Sequence, residues 1–224
     1  MIFFYRILTL FLFPFFTIII YLRRFVNKED RVRYKEKISI GENFFPNNKK
    51  VIWIHAASIG ETKSVVPLIN KIIKDNKEIF ILLTTTTLSS SQIVNKTGLE
   101  QNNFQHRFFS LDVQFLVTKF LDHWKPEIII FIDSEVWPNY LLEISKRKIP
   151  LMLLNGRITM KSFKRWKMFS NFSKKIFDLY DLCLVSSSES ERNLKSLGAK
   201  KVKFIGNLKF CGSTTNYNDE YKLK

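Results

Sequence analysis

Six short, near-continuous apolar runs recur from residue 51 onward, and they restrict the fold of this chain more than any other feature. They occupy 51–56, 79–84, 127–132, 151–154, 182–185 and 202–205. Strands buried on both faces of a parallel sheet read this way, without the polar alternation of a half-solvated strand. Between them lie stretches with helical spacing. Val65, Leu68, Ile69, Ile72 and Ile73 form one apolar stripe; Phe115, Leu116, Lys119, Phe120 and His123 form a second, partly polar one. Stretches 140–148 and 163–179 continue the alternation. This order predicts a doubly wound α/β domain. An apolar fraction of 46% supplies a core without staples. Cys183 and Cys211 make no disulfide framework, and His55, His106 and His123 are too scattered for metal ligation, so neither metal nor cofactor is expected.

The amino terminus has a different character. Residues 2–22 are almost wholly apolar, interrupted by Arg6 and Pro14, and Arg23-Arg24 comes at once after them. About 20 such residues span a bilayer. No small-x-small cleavage site is present after this stretch, which argues against a removed signal peptide. Arg23, Arg24, Lys28, Arg31, Arg33, Lys35 and Lys37 place the downstream chain in the cytoplasm and attract anionic headgroups. Arg6 resists the hydrocarbon core, so a spanning helix and an interfacial one both stay open, beside a buried core helix. Lys and Arg outnumber Asp and Glu by 36 to 20, leaving +16. That excess fits a polyanion (nucleic acid, an anionic membrane surface or a phosphorylated substrate) or simply a basic solvated surface. The expected organisation is a membrane anchor over 1–24, a basic juxtamembrane segment over 25–50, a Rossmann-like domain over 51–210 and a polar tail over 211–224.

Ligands of such sheets sit beyond the carboxyl ends of the strands, and the unusual residues cluster there. Glu61 closes His55-Ala-Ala-Ser-Ile-Gly-Glu61 at the start of a helix, where the dipole favours an ionised carboxylate suited to general-base work. An ordinary first-turn Glu reads the same way. Glu135 precedes Trp137-Pro138-Asn139, a loop-to-helix turn with a flat ring for a sugar or acyl chain. A helix start with a packing Trp is the plainer reading. Ser58, Gly60 and Thr84–Thr87 lie in turns whose N–H groups could hold an anion, or merely cap helices. Arg157 and Lys209 are cations at strand ends, each weak alone.

Taken in order, these segments resemble the amino-terminal domain of the 3-deoxy-D-manno-octulosonic acid (Kdo) transferases. The resemblance rests on His55 to Glu61, Thr84 to Thr87, Glu135 to Asn139, Asn155-Gly-Arg157, Leu197-Gly-Ala199 and Gly206-Asn-Leu-Lys-Phe210. Departures from the family pattern are Ser90, Ser110, Gly156 and Cys211, where Gly, Pro, Ala and Asp are usual. The resemblance implies the Rossmann-like acceptor half of a GT-B glycosyltransferase at the cytoplasmic face of a bacterial inner membrane. It implies inverting, metal-independent transfer of Kdo from CMP-Kdo to a lipid A precursor, with no nucleic acid involved. Glu61 would be the proton acceptor, and Glu135 and Lys209 would stabilise the transition state. Ser58, Gly60, Thr84, Trp137, Asn139 and Arg157 would contact substrate. The donor-binding domain is expected outside these 224 residues. A membrane-bound lipid A precursor binding module, or an inactive truncated remnant, is the alternative.

Overall fold

A computed structural model describes residues 1–39, 49–99 and 101–208. Seven parallel strands form one sheet: β1 (Lys50–His55), β2 (Ile79–Thr85), β3 (Phe104–Phe108), β4 (Ile128–Ile132), β5 (Leu151–Gly156), β6 (Leu182–Val185) and β7 (Val202–Phe204). Their order is β3-β2-β1-β4-β5-β6-β7. The chain winds outward from β1 to β3, returns, and winds the other way from β4. Between β1 and β4, paired with His55 opposite Phe131, lies the crevice that this reversal creates. The α/β expectation holds.

Helices α1 (Ile2–Phe25), α2 (Ile59–Asp75), α3 (Leu88–Asn95), α4 (Gln114–Trp124), α5 (Pro138–Lys146), α6 (Met160–Met168), α7 (Ser170–Phe177) and α8 (Ser188–Leu197) complete the domain. Strand residues alternate between two cores. Val51, Trp53, Phe80, Leu82, Ile129 and Phe131 face α4, α5, α7 and α8. Ile54, Ile81, Leu83, Ile130 and Ile132 face α2 and α3.

Three expectations change. The strand β3 was hidden in Phe104-Gln-His-Arg-Phe108 because an edge strand with polar positions lacks the apolar signature. Its exposed edge is covered by the turn Arg33–Lys37: Arg33 donates to His106 O, and Glu36 accepts from Phe108 N. The buried stripe of α4 is Leu116, Val117, Phe120, Leu121 and Trp124, leaving Phe115 and His123 off the core face. Stretch 163–179 is two helices broken at Phe169. Trp166 stacks on Phe172 at 6.2 Å, a contact out of reach in one straight helix, where six residues separate two side chains by about 120° and about 9 Å of rise.

Within the described part of the basic segment, several cations are paired. Lys37 is buried, ion-paired to Glu29, and donates to Thr86 O at 2.8 Å. Arg23 also pairs with Glu29, and Arg33 with Glu36.

Leu82 is fully buried at the centre of β2. Leu82→Ala is expected to cost about 2–5 kcal/mol through lost contacts and an unfilled cavity, measured by urea unfolding in detergent.

Candidate functional site

β1 carries one core face through Val51 and Trp53, and His55 is the next residue on that face. Its ring stacks on Phe109 at 3.9 Å and is fully buried. Nδ1 lies 2.9 Å from Thr84 Oγ1, and Nε2 lies 3.3 Å from Glu135 Oε2. An ionised Glu135 calls for a proton on Nε2, an assignment made from the bonding pattern. Nδ1 then accepts a hydrogen bond from the Thr84 hydroxyl, and Thr84 Oγ1 accepts from Trp53 Nε1 at 2.9 Å. A polar chain, Trp53–Thr84–His55–Glu135, thus runs through the core to the crevice.

Glu135 is held from three sides. His55 and the Trp137 indole N–H both bond to Oε2, while Tyr180 donates its hydroxyl to the Glu135 carbonyl at 2.6 Å. Burial works to raise this carboxyl, but the bonds from His55 and Trp137 bring it below its ordinary 4.5.

Across the crevice, Ser58 caps α2 and Glu61 sits in its first turn. Glu61 accepts from Ala57 N at 2.7 Å and from Ser58 Oγ at 2.6 Å. A capping box makes such bonds. It does not require the opposing carboxylates. Burial raises the Glu61 carboxyl against those hydrogen bonds, and the charges of Glu135 and Asp133 push in the same direction. Two carboxylates in one crevice are therefore driven apart: one kept ionised, the other made more basic.

The remaining expected residues divide. Trp137 packs on Phe109 at 5.2 Å between core and crevice, and Gly60 lies in the first turn of α2 beside Glu61. Arg157 is exposed and pairs with Asp133 at 3.1 Å. Thr84 and Asn139 are both fully buried. Thr84 supports His55 from within the core. Asn139 donates to Asp112 O and to Thr9 Oγ1 of α1. The Thr-rich turn braces the neighbouring loop, with Thr86 Oγ1 donating to Ala57 O and Thr87 capping α3. Lys209 lies outside the described residues. The chain just before it is drawn in, because Leu208 N donates to Asn155 Oδ1 at 3.0 Å.

Asp133 (φ +66°) and Asn155 (φ +58°) take left-handed backbone at the ends of β4 and β5. Short polar side chains tolerate that conformation, and it turns the chain sharply into the crevice wall. Sequence reasoning missed Asp133 and Tyr180 as parts of the site. Tyr180 is 45 residues from its partner and carries no local signal.

Residues 32–211 match the family model described as 3-Deoxy-D-manno-octulosonic-acid transferase (kdotransferase). The chain belongs to this family. A 3-deoxy-D-manno-octulosonic acid transferase of Rickettsia bellii is 34% identical over 220 residues, covering 98% of this chain and 52% of that protein. One from Haemophilus influenzae is 27% identical, covering 86% and 45%. The chain thus spans about half the length of the curated relatives it matches. Among solved structures, a UDP-N-acetylglucosamine 2-epimerase from Listeria monocytogenes matches 71% of this chain with a TM-score of 0.50 at 12% identity, which is a likeness of fold.

A carboxylate whose folded value is lowered gives stability above its ordinary range that is lost as pH falls through the folded value. His55→Ala is expected to move the Glu135 titration upward toward its ordinary value, so that less stability depends on its charge and less is lost as pH falls. Trp137→Phe keeps the ring and should give a smaller rise. Carbon-13 NMR of labelled Glu carboxyls reads both shifts. An unmoved titration would show that these contacts do not set the charge.

Proposed function

We propose that this chain is the acceptor side of an inverting glycosyltransferase that moves Kdo from CMP-Kdo to a lipid A precursor in lipopolysaccharide core biosynthesis. Family membership supports the chemistry. The observation that carries the assignment of roles is the opposed pair Glu61 and Glu135, whose environments shift their acidities in opposite directions.

In this reading Glu61 takes the proton from the acceptor hydroxyl as its oxygen attacks the anomeric carbon and CMP departs. A base with raised basicity suits that step. Glu135, kept ionised, stabilises positive charge developing on the sugar, and Lys209 stabilises the departing phosphate. Preorganisation is what makes such charges effective, and Glu135 is fixed by His55, Trp137 and Tyr180 before any substrate arrives. Ser58, Gly60, Trp137 and Arg157 line the acceptor's approach. The donor side belongs to a second domain, consistent with relatives about twice as long as this chain. Attachment to the cytoplasmic face of an inner membrane accounts for the apolar helix and basic flank, and brings the enzyme to a lipid acceptor.

In enzyme reconstituted with a donor domain, Glu61→Gln is expected to lower turnover about 10²–10⁴-fold with the fold retained. Activity within a few-fold of the parent would assign Glu61 to helix capping alone. Lys209→Ala should lower turnover with little change in acceptor affinity, read from kcat and KM separately.

The 224 residues alone are expected to bind lipid A precursor, yet neither to bind CMP tightly nor to transfer Kdo. Calorimetric titration and a transfer assay, with and without the donor domain, check this. Unaided transfer would overturn the division of labour.

A further inference from the structure

The amphipathicity of α1 is the reverse of a soluble helix. Between residues 2 and 20 its polar side chains are Tyr5, Arg6, Thr9 and Thr17, and all four fall on the stripe turned toward the domain. Tyr5 donates to Asp112 at 2.7 Å, Arg6 pairs with Glu143 at 3.2 Å, and Thr9 accepts from Asn139. Further along the same stripe, Phe13 meets Phe115 edge-on at 5.2 Å, and Ile20 is buried. The opposite stripe, Phe4, Phe11, Phe15, Ile18, Leu22 and Phe25, is entirely apolar and exposed, with Phe4 and Phe11 each 69% open. A face this long and this apolar is rarely left to water.

A spanning helix leaves its domain at one end. Here the contacts run from Tyr5 to Ile20, about 22 Å of helix at 1.5 Å per residue. Crossing a bilayer would strip Tyr5 from Asp112 and Arg6 from Glu143, and carry Arg6 through hydrocarbon.

The basic flank sorts itself to match. Arg23 and Lys37 share Glu29, and Arg33 pairs with Glu36. Arg24 and Arg31 have no carboxylate partner among the described residues, and with Phe25 and Asn27 they line a cleft of about 300 Å³ at the end of α1. Two guanidinium groups beside an apolar ridge match a phosphate held at the level of the headgroups.

We propose that α1 is an in-plane membrane helix rather than a span: its apolar ridge lies in the headgroup–acyl boundary of an anionic phospholipid bilayer while its polar stripe stays bolted to the domain, and Arg24 and Arg31 hold a lipid phosphate. This rests on the membrane attachment proposed above and decides its geometry. One consequence concerns the site. Asn139, four residues beyond Glu135, is tied to Thr9, so the membrane-lying helix and the Glu135 loop are joined by one hydrogen bond. The crevice is thereby set beside the bilayer surface, where a lipid acceptor can reach it without leaving its leaflet.

The test uses the 224-residue chain with Cys183→Ala and Cys211→Ser, carrying one nitroxide at a time over residues 3–25, on vesicles of phosphatidylglycerol and phosphatidylethanolamine. Depth is read from oxygen against nickel-chelate accessibility. The expected result is a repeat of about 3.6 residues without a gradient, with Phe4, Phe11, Ile18 and Phe25 at one depth, about 5–10 Å below the headgroups. Depth that increases to a maximum near Pro14 and then declines would establish a span and overturn the proposal. Failure to sediment with vesicles would overturn the membrane attachment on which it rests. Arg24→Gln and Arg31→Gln should each weaken partitioning onto phosphatidylglycerol about fivefold, and leave phosphatidylcholine unaffected. An equal loss on both lipids would overturn the phosphate assignment.

Discussion

A carboxylate set into the crevice between β1 and β4 depends on a hydrogen-bonded chain laid through the hydrophobic core. Buried polar groups are costly unless each finds a partner. Trp53, Thr84 and His55 satisfy one another, and the last link faces Glu135. That chain fixes the end of β1 relative to β2 and reaches across to the loop after β4. Tyr180 then ties the same loop to the far side of the domain. The winding reversal places the crevice at this point, so the buried polar chain ends where a ligand of such a sheet would sit.

The two opposed acids owe their difference to their surroundings rather than to their residue type. Glu61 has backbone and hydroxyl donors on one side and like charge on the other. Glu135 has donors and no such crowding strong enough to reverse its direction. The asymmetry is what a site needs if one carboxylate is to take a proton and its neighbour is to remain charged. Around it, Thr86, Ser90 and Asp133 act as braces: they hold the turns that aim these side chains.

At the other edge, α1 is built into the domain. It adds a hydrogen bond or ion pair to each of the buried Asp112, Asn139 and Glu143. The side chain of Asn139 bonds to both α1 and the Asp112 carbonyl, so the Trp-Pro-Asn turn is shaped partly by the helix that carries the apolar ridge.

The pattern of residues alone dictates the layered α/β architecture, because continuous apolar strands and periodic helices leave few other ways to bury their surface. It also locates the strand-end segments, since Ser58-Ile-Gly60-Glu61 and Glu135-Val-Trp137-Pro138 carry their turn chemistry locally. It could not reveal β3, whose polar residues are matched by Arg33 and Glu36 some seventy positions away. Nor could it show that Thr84 and Asn139 are fully buried while Glu61 is only partly so. Whether a polar side chain serves the core or the cleft is settled by partners distant in sequence, and only the closed sheet brings those partners within hydrogen-bonding reach.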